Sequence, residues 1–230
     1  MPEVSTPPDA SSLQAHRQMR TFDPAISGMM EIYKLIAGLV VPRPVALVST
    51  VDKDGVANVA PFSFFNAVGA NPPTLLFCPM LRAEADHRAD NRADTLRNIE
   101  QTGEFVINVV SHALAEAVGR TAADVHPDID EFVLAGLTPR PSEVIRAPRV
   151  AESPASFECK LLQVIFTGTE PGAGVIVLGE ILRIHVAEEV IDPTEGDSFH
   201  IDLEKLDAVG LMAGSTWVRT SDRFVLTRPR

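Results

Sequence analysis

The chain is short of cysteine, of positive charge and of any aromatic residue but phenylalanine. Its 230 residues hold two cysteines, one tryptophan and one tyrosine. Cys78 and Cys159 each sit in an apolar, strand-like run, which argues against a disulfide or a metal pair. Buried thiols in a reducing compartment, the cytoplasm, are expected instead. Lys plus Arg number 20 against 31 Asp plus Glu, a net charge of −11. A surface of that sign argues against nucleic acid, whose phosphate backbone needs a basic face. Long apolar runs are also missing. The stretch 35–41 is interrupted by Gly38 and is too short to span a bilayer, so no membrane contact is expected. Residues 1–20 have neither an apolar core nor a small-residue cleavage site. They read as a flexible arm rather than a signal peptide, and residues 21–230 as one domain.

Local catalytic signatures are absent too. There is no G-x-S-x-G, no C-x-x-C and no H-E-x-x-H. His16, His87, His112, His126, His185 and His200 are scattered and form no ligand pattern. Gly172-Ala173-Gly174 hints at a dinucleotide loop, but Val177 stands where a third glycine is needed. A β-branched run follows instead of a helix, so a hairpin turn is the better reading.

What the chain does have is strands. Ala46 to Val51 is apolar and β-branched, and Asp52-Lys53-Asp54-Gly55 is a turn that returns the chain through 56–59. Residues 74–78, 104–110, 155–166 and 175–186 continue the pattern, the last two as an antiparallel hairpin. Short helices are expected at 94–100, closed by Thr102-Gly103, at 112–118 with Ser111 as cap, and at 130–135. A short helical piece from Asp202 precedes an irregular tail, 210–224. The class is mainly β, an antiparallel barrel with peripheral helices. A doubly wound parallel sheet is the runner-up and lacks the regular alternation.

Two stretches suggest a ligand. Ala60-Pro61-Phe62-Ser63-Phe64-Phe65-Asn66 sets polar groups beside large rings, where a plain strand would alternate. A strand broken at Ala-Pro would free amides that no neighbouring strand uses. A flat heteroaromatic ring such as a flavin's needs such an apolar bed and such donors. The alternative is a buried strand ending in a proline loop. The second stretch, 81–98, gathers Arg82, Arg88, Arg92 and Arg97 before a helix start at Asp94-Thr95. Guanidinium groups at a helix N-terminus suit a phosphate, although they equally offset Glu84, Asp86, Asp90 and Asp94 on a solvated loop.

The ordered motifs resemble the flavin reductase-like domain of the FMN-binding split-barrel superfamily. They are Pro42-Arg43-Pro44 through Ser49-Thr50, Asp54-Gly55 with Asn58, Ala60-Pro61 through Asn66, Pro72-Pro73, Asp94-Thr95-Leu96-Arg97-Asn98-Ile99, Gly103 through Asn108, Asp130-Glu131-Phe132, and Glu152-Ser153-Pro154. The resemblance covers about 32–224. It implies a six-stranded antiparallel split barrel, a homodimer, and FMN, favoured over FAD, in clefts at the dimer interface. NADH or NADPH is the implied co-substrate, and a partner oxygenase or other electron acceptor the next recipient. The alternative is a flavin-binding carrier without nicotinamide turnover. Carried over by position, Ser49 and Thr50 approach the phosphate or ribityl chain. Phe62, Ser63 and Phe64 lie beside the ring, and Arg92, Asp94, Thr95 and Arg97 near the phosphate. Trp217 closes the cleft in its own or the partner subunit, or instead anchors the core or an interface. Relatives commonly read Arg-Lys-Asp-Thr where this chain has Arg92-Ala93-Asp94-Thr95. One cation is therefore replaced, leaving Arg92 or Arg88 to compensate.

Overall fold

The computed structural model describes residues 18–82, 91–122, 129–193 and 199–226. Most of the expected arm, and Arg88, His16, His87 and His126, lie outside the described residues. In chain order the elements are α1 (Met29–Leu39), β1 (Arg43–Pro44), β2 (Ala46–Val51), β3 (Ala57–Phe62), β4 (Phe65–Ala70), β5 (Pro73–Phe77), α2 (Asp94–Thr102) and β6 (Glu104–Val109). There follow α3 (Ala115–Thr121), α4 (Glu131–Ala135), β7 (Pro139–Arg140), β8 (Arg149–Val150), β9 (Ala155–Phe166), β10 (Val175–Val186), β11 (Ile191–Pro193), β12 (Phe199–Ile201), α5 (Leu203–Leu206), β13 (Val209–Leu211) and β14 (Trp217–Arg219). The protein is mainly β, and its main sheet is antiparallel throughout.

That sheet has seven strands in the order β3-β2-β6-β9-β10-β5-β4, one more than expected. Its two edges, β3 and β4, are consecutive in the chain and joined only by Ser63-Phe64. Among the described residues no ladder connects them, so the curved sheet is left split at this seam. The sequence suggested a break at Ala60-Pro61, but β3 runs through both residues and pairs Pro61 with Leu47 and Phe62 with Ala46. Proline is tolerated because β3 is an edge strand, where a missing N–H costs no ladder bond. The break comes two residues later.

Strand alternation sorts the residues of β2 between two cores. Ala46 and Val48 join Phe77, Phe105, Ile107, Val177, Leu96 and Ile99 on one face. Leu47, with Val45 just before the strand, joins Val59, Val118, Phe132 and Val209 on the other, beneath α3 and α4. Burial on both faces is why β2 is a continuous apolar run rather than an alternating one. On the first face the rings of Phe62, Phe77 and Phe105 pack against one another, tilted and edge-on, with centroids 4.9 Å and 5.5 Å apart. Gly179 on β10 makes room for them: a Cβ there would lie 2.3 Å from the Phe105 ring.

Helix ends follow local chemistry. Gly103 and Gly136 close α2 and α4 with positive φ. Asp130 and Asp202 cap α4 and α5 through their carboxylates. Ser111, the expected cap, forms no capping bond; the chain passes through a 3-10 turn, 112–114, before α3. The tail is more regular than expected: β13 and β14 join β1 in a three-stranded sheet. Among the described residues no helix is long and apolar enough to cross a membrane.

Candidate functional site

The seam between β3 and β4 opens onto a cleft of about 450 Å3, within the usual range for small-molecule sites. Pro61, Phe62, Ser63 and Phe64 line one side. Cys78, Pro79, Met80 and Leu81, which follow β5, line another, and Met29 and Tyr33 of α1 face in from outside. Between the ladders, the Phe64 carbonyl accepts from the Cys78 N–H at 2.8 Å. The N–H groups of Ser63 and Phe64 have no partner among the described residues. The cleft thus combines apolar ring faces with two idle main-chain donors. Gly172, at φ 90°, lets Met29 close in, since a Cβ would meet its sulfur at 2.4 Å.

A smaller polar recess of about 120 Å3 shares Pro61, Phe62, Arg82 and Ala93 with the cleft. Asn58, Asp94, Thr95, Thr121 and Glu131 complete its walls. The recess lies at the start of α2, where Ala93 offers no side-chain cap and the helix carries the positive end of its dipole. Arg82 contributes to both chambers. Burial raises the Glu131 carboxyl above the usual range, against the backbone N–H groups of Glu131 and Val59, which pull it down. Burial likewise raises the Cys78 thiol, and pushes Cys159 up to about 12 with help from the charge of Glu158. Both cysteines are free, and neither is poised as a thiolate nucleophile. Among the described residues no cluster of three or more His, Cys, Asp or Glu could hold a metal.

A family model for the flavin reductase like domain matches residues 38–198. The chain belongs to the flavin reductase-like family. Nitrilotriacetate monooxygenase component B from Bacillus cereus is 36% identical, covers 92% of this chain and 100% of its own, and superposes with a TM-score of 0.82. The Pseudomonas fluorescens 2-nitrobenzoate 2-nitroreductase NbaA is 31% identical, with 91% and 96% coverage and a TM-score of 0.77. A split-barrel protein of Shewanella frigidimarina, assigned as a flavin reductase, is 25% identical, with 92% and 100% coverage and a TM-score of 0.74.

In this flavin reductase-like chain the expected site residues fall into three groups. Phe62, Ser63 and Phe64 line the cleft, and Asp94 and Thr95 line the recess. Arg97 pairs with Asp94 at 2.8 Å but faces a separate groove with Asp52 and Lys53. Arg92 pairs with Glu100 at 3.0 Å and lies over the Phe166 ring. Ser49, Thr50 and Trp217 line neither chamber. Ser49 is fully buried on the opposite face of β2, donating to the Pro148 carbonyl and accepting from Asn108. Thr50 is buried beneath α2 and accepts from Asn58 and Asn98, both at 3.1 Å. Trp217 packs half-buried on the second core, opposite Leu211.

Sequence reasoning did not single out Tyr33, Met29, Cys78, Met80 or Glu131 for the site. Glu131 stood in the Asp130-Glu131-Phe132 motif without a site role, and no motif marks the other four, because the topology brings them in from distant parts of the chain. Arg82 stood in the basic segment, and it is the one of its three described arginines that lines both chambers.

Proposed function

We propose that the protein is an FMN-binding oxidoreductase that passes electrons from NADH or NADPH to flavin, or through bound FMN to a further acceptor. The observation that carries this reading is the seam at Ser63-Phe64: a split between edge strands that opens ring faces and unpaired N–H groups onto a cleft of suitable size. The residues present fit the cofactor. Phe62, Pro61 and Phe64 supply a flat apolar wall, and the Ser63 and Phe64 N–H groups suit the ring's carbonyl edge. Arg82 and the start of α2 supply positive potential for the phosphate, in the place that the resemblance gave to Arg92 and Arg97. Asp94 and Glu131 oppose it, and the raised proton affinity of Glu131 reduces that opposition.

Bound FMN would supply the hydride-accepting and electron-donating centre, chemistry that amino-acid side chains do not carry out themselves. The protein's part is to cover one ring face, exclude water with Met29, Tyr33 and Met80, and leave an approach for the nicotinamide. A component B of a monooxygenase and a nitroreductase among the similar structures support an oxygenase or a small organic oxidant as acceptor.

A homodimer fits the surface. Leu162, Ile165, Phe166 and Ile184 on the β9–β10 hairpin are exposed in the single chain, as is most of the apolar face of α1, whereas Ile181 packs into the first core. A partner copy would cover these groups and enclose the cleft, and Trp217 would then act only from the partner.

Titration of the purified protein with FMN, followed by flavin fluorescence, tests binding. Steady oxidation of NADH or NADPH by the loaded protein separates the oxidoreductase from a flavin carrier. A protein that leaves FMN fluorescence unchanged contradicts the reading.

A further inference from the structure

Arg43 is 3% exposed, and its guanidinium has no carboxylate partner within 4 Å among the described residues. It is held instead by neutral acceptors. One terminal nitrogen donates to the carbonyls of Ala37 and Val40 at the end of α1, and the other to the Met212 carbonyl at 2.9 Å. Nε donates to the Ser63 hydroxyl at 3.3 Å. The guanidinium carbon stands 6.0 Å from the centre of the Phe64 ring.

Burying a lone cation is costly unless dipoles replace its water. Here the carbonyl end of α1 does so, as the negative end of a helix dipole should. Carbonyls satisfy the donors but carry no net charge, so the full positive charge remains. It sits one hydrogen bond behind Ser63, which lines the cleft, and acts through protein rather than water, where a field carries further. A cation placed this way serves no ion pair. It does favour any cleft occupant that gains negative charge.

Resting on the flavin reading above, we infer that Arg43 is a positioning residue that holds Ser63 at the seam and, as an uncompensated buried cation, favours the reduced flavin over the oxidised one. Hydride from NADH or NADPH brings two electrons and one proton to the ring and leaves NAD(P)+ behind. The flavin therefore gains one negative charge unless a further proton follows. Arg43 opposes that protonation and stabilises the charge whichever ring edge faces Ser63. Lysine keeps the charge without the fork that reaches Ser63 and three carbonyls, whereas glutamine loses the charge.

The test is the reduction potential of bound FMN, measured by dye equilibration in the wild type, Arg43→Lys and Arg43→Gln, alongside each variant's melting temperature. The wild type should bind reduced FMN more tightly than oxidised FMN. Arg43→Gln should lower that affinity ratio at least tenfold, about 30 mV for a two-electron couple, and Arg43→Lys less than threefold. A purely structural arginine would lower the melting temperature and weaken both redox states alike, leaving the potential unmoved; that result overturns the inference. If Arg43→Gln does not fold, the wild type decides alone: oxidised FMN bound as tightly as reduced FMN overturns the inference. Failure to bind FMN in either state would remove the proposed function itself, whereas binding with an unmoved potential removes only the role of Arg43.

Discussion

The side-chain amide of Asn58 donates to the Thr50 hydroxyl at 3.1 Å, and the same nitrogen reaches Thr95 at 3.0 Å. With Asn98 donating to Thr50, four buried polar side chains join the β2–β3 hairpin to α2. Thr50 is therefore a tie between elements. Its replacement by valine keeps the shape, removes the acceptor of the Asn98 amide and leaves Asn58 only Thr95, at a cost of about 1–3 kcal/mol. Thr50→Val should lower the denaturant midpoint while changing FMN affinity less than about threefold. A large loss of affinity at unchanged stability would show that Thr50 touches the cofactor.

Ser63 lies where ring faces meet unpaired N–H groups. A bulky residue there fills the cleft mouth, so Ser63→Phe should weaken FMN binding at least tenfold. It also loses the bond from Arg43, costing about 1 kcal/mol of stability. Fluorescence titration of the folded variant reads the effect, and wild-type affinity would place the ring elsewhere.

Gly179 faces Phe105 across the barrel. A methyl group there enters the ring at 2.3 Å, so either the strand or the Phe62–Phe77–Phe105 cluster must move. Gly179→Ala should destabilise by about 1–3 kcal/mol, as overpacking does. Urea denaturation measures this, and a neutral result would mean that the Phe105 ring moves freely.

Two buried glutamates should show opposite pH signatures. Burial pushes the Glu158 carboxyl up. The N–H groups of Glu143 and Val144 and the ring of His185, 2.7 Å away, outweigh that and leave it below the usual range. Its stabilisation is present above the unfolded-state value and is lost as pH falls through the folded one. Glu158→Gln should thus be less stable than wild type at pH 7, by about 1–3 kcal/mol, with the gap narrowing in acid. Glu131 is raised, so its contribution is fully present below the unfolded value and is lost as pH rises through the folded one. Glu131→Gln should therefore gain on the wild type as pH rises. Denaturation curves at several pH values read both slopes, and parallel curves would contradict them.

The sequence announced β9, β10 and the β2–β3 turn because their periodicity is local. It announced α2 with its glycine stop at Gly103, and α4 as a short helix at 130–135 whose Gly136 stop the structure adds. Phe62, Ser63 and Phe64 were legible as odd residues for a strand, though not that the seam would lie after Pro61. That depends on β4 pairing with β5 and on neither edge finding the other, a matter of sheet closure. The exposed β4 and the short β13 and β14 carry too little apolar alternation to stand out. Ser49 and Thr50 show the limit at the site. Their motif is a sound family marker, yet which face of β2 each occupies, and that Asn108 and Asn58 claim them, follows from register. Arg43 stood in the same motif, and only the fold shows its carbonyl cage.

The most direct test of the account is a crystal structure of the protein with FMN. The account predicts the ring against Phe62, Ser63 and Phe64, within hydrogen-bond reach of the seam amides, and the phosphate in the recess beside Arg82 and the start of α2. A cleft filled by the protein's own side chains, or a flavin bound away from the β3–β4 seam, would contradict it.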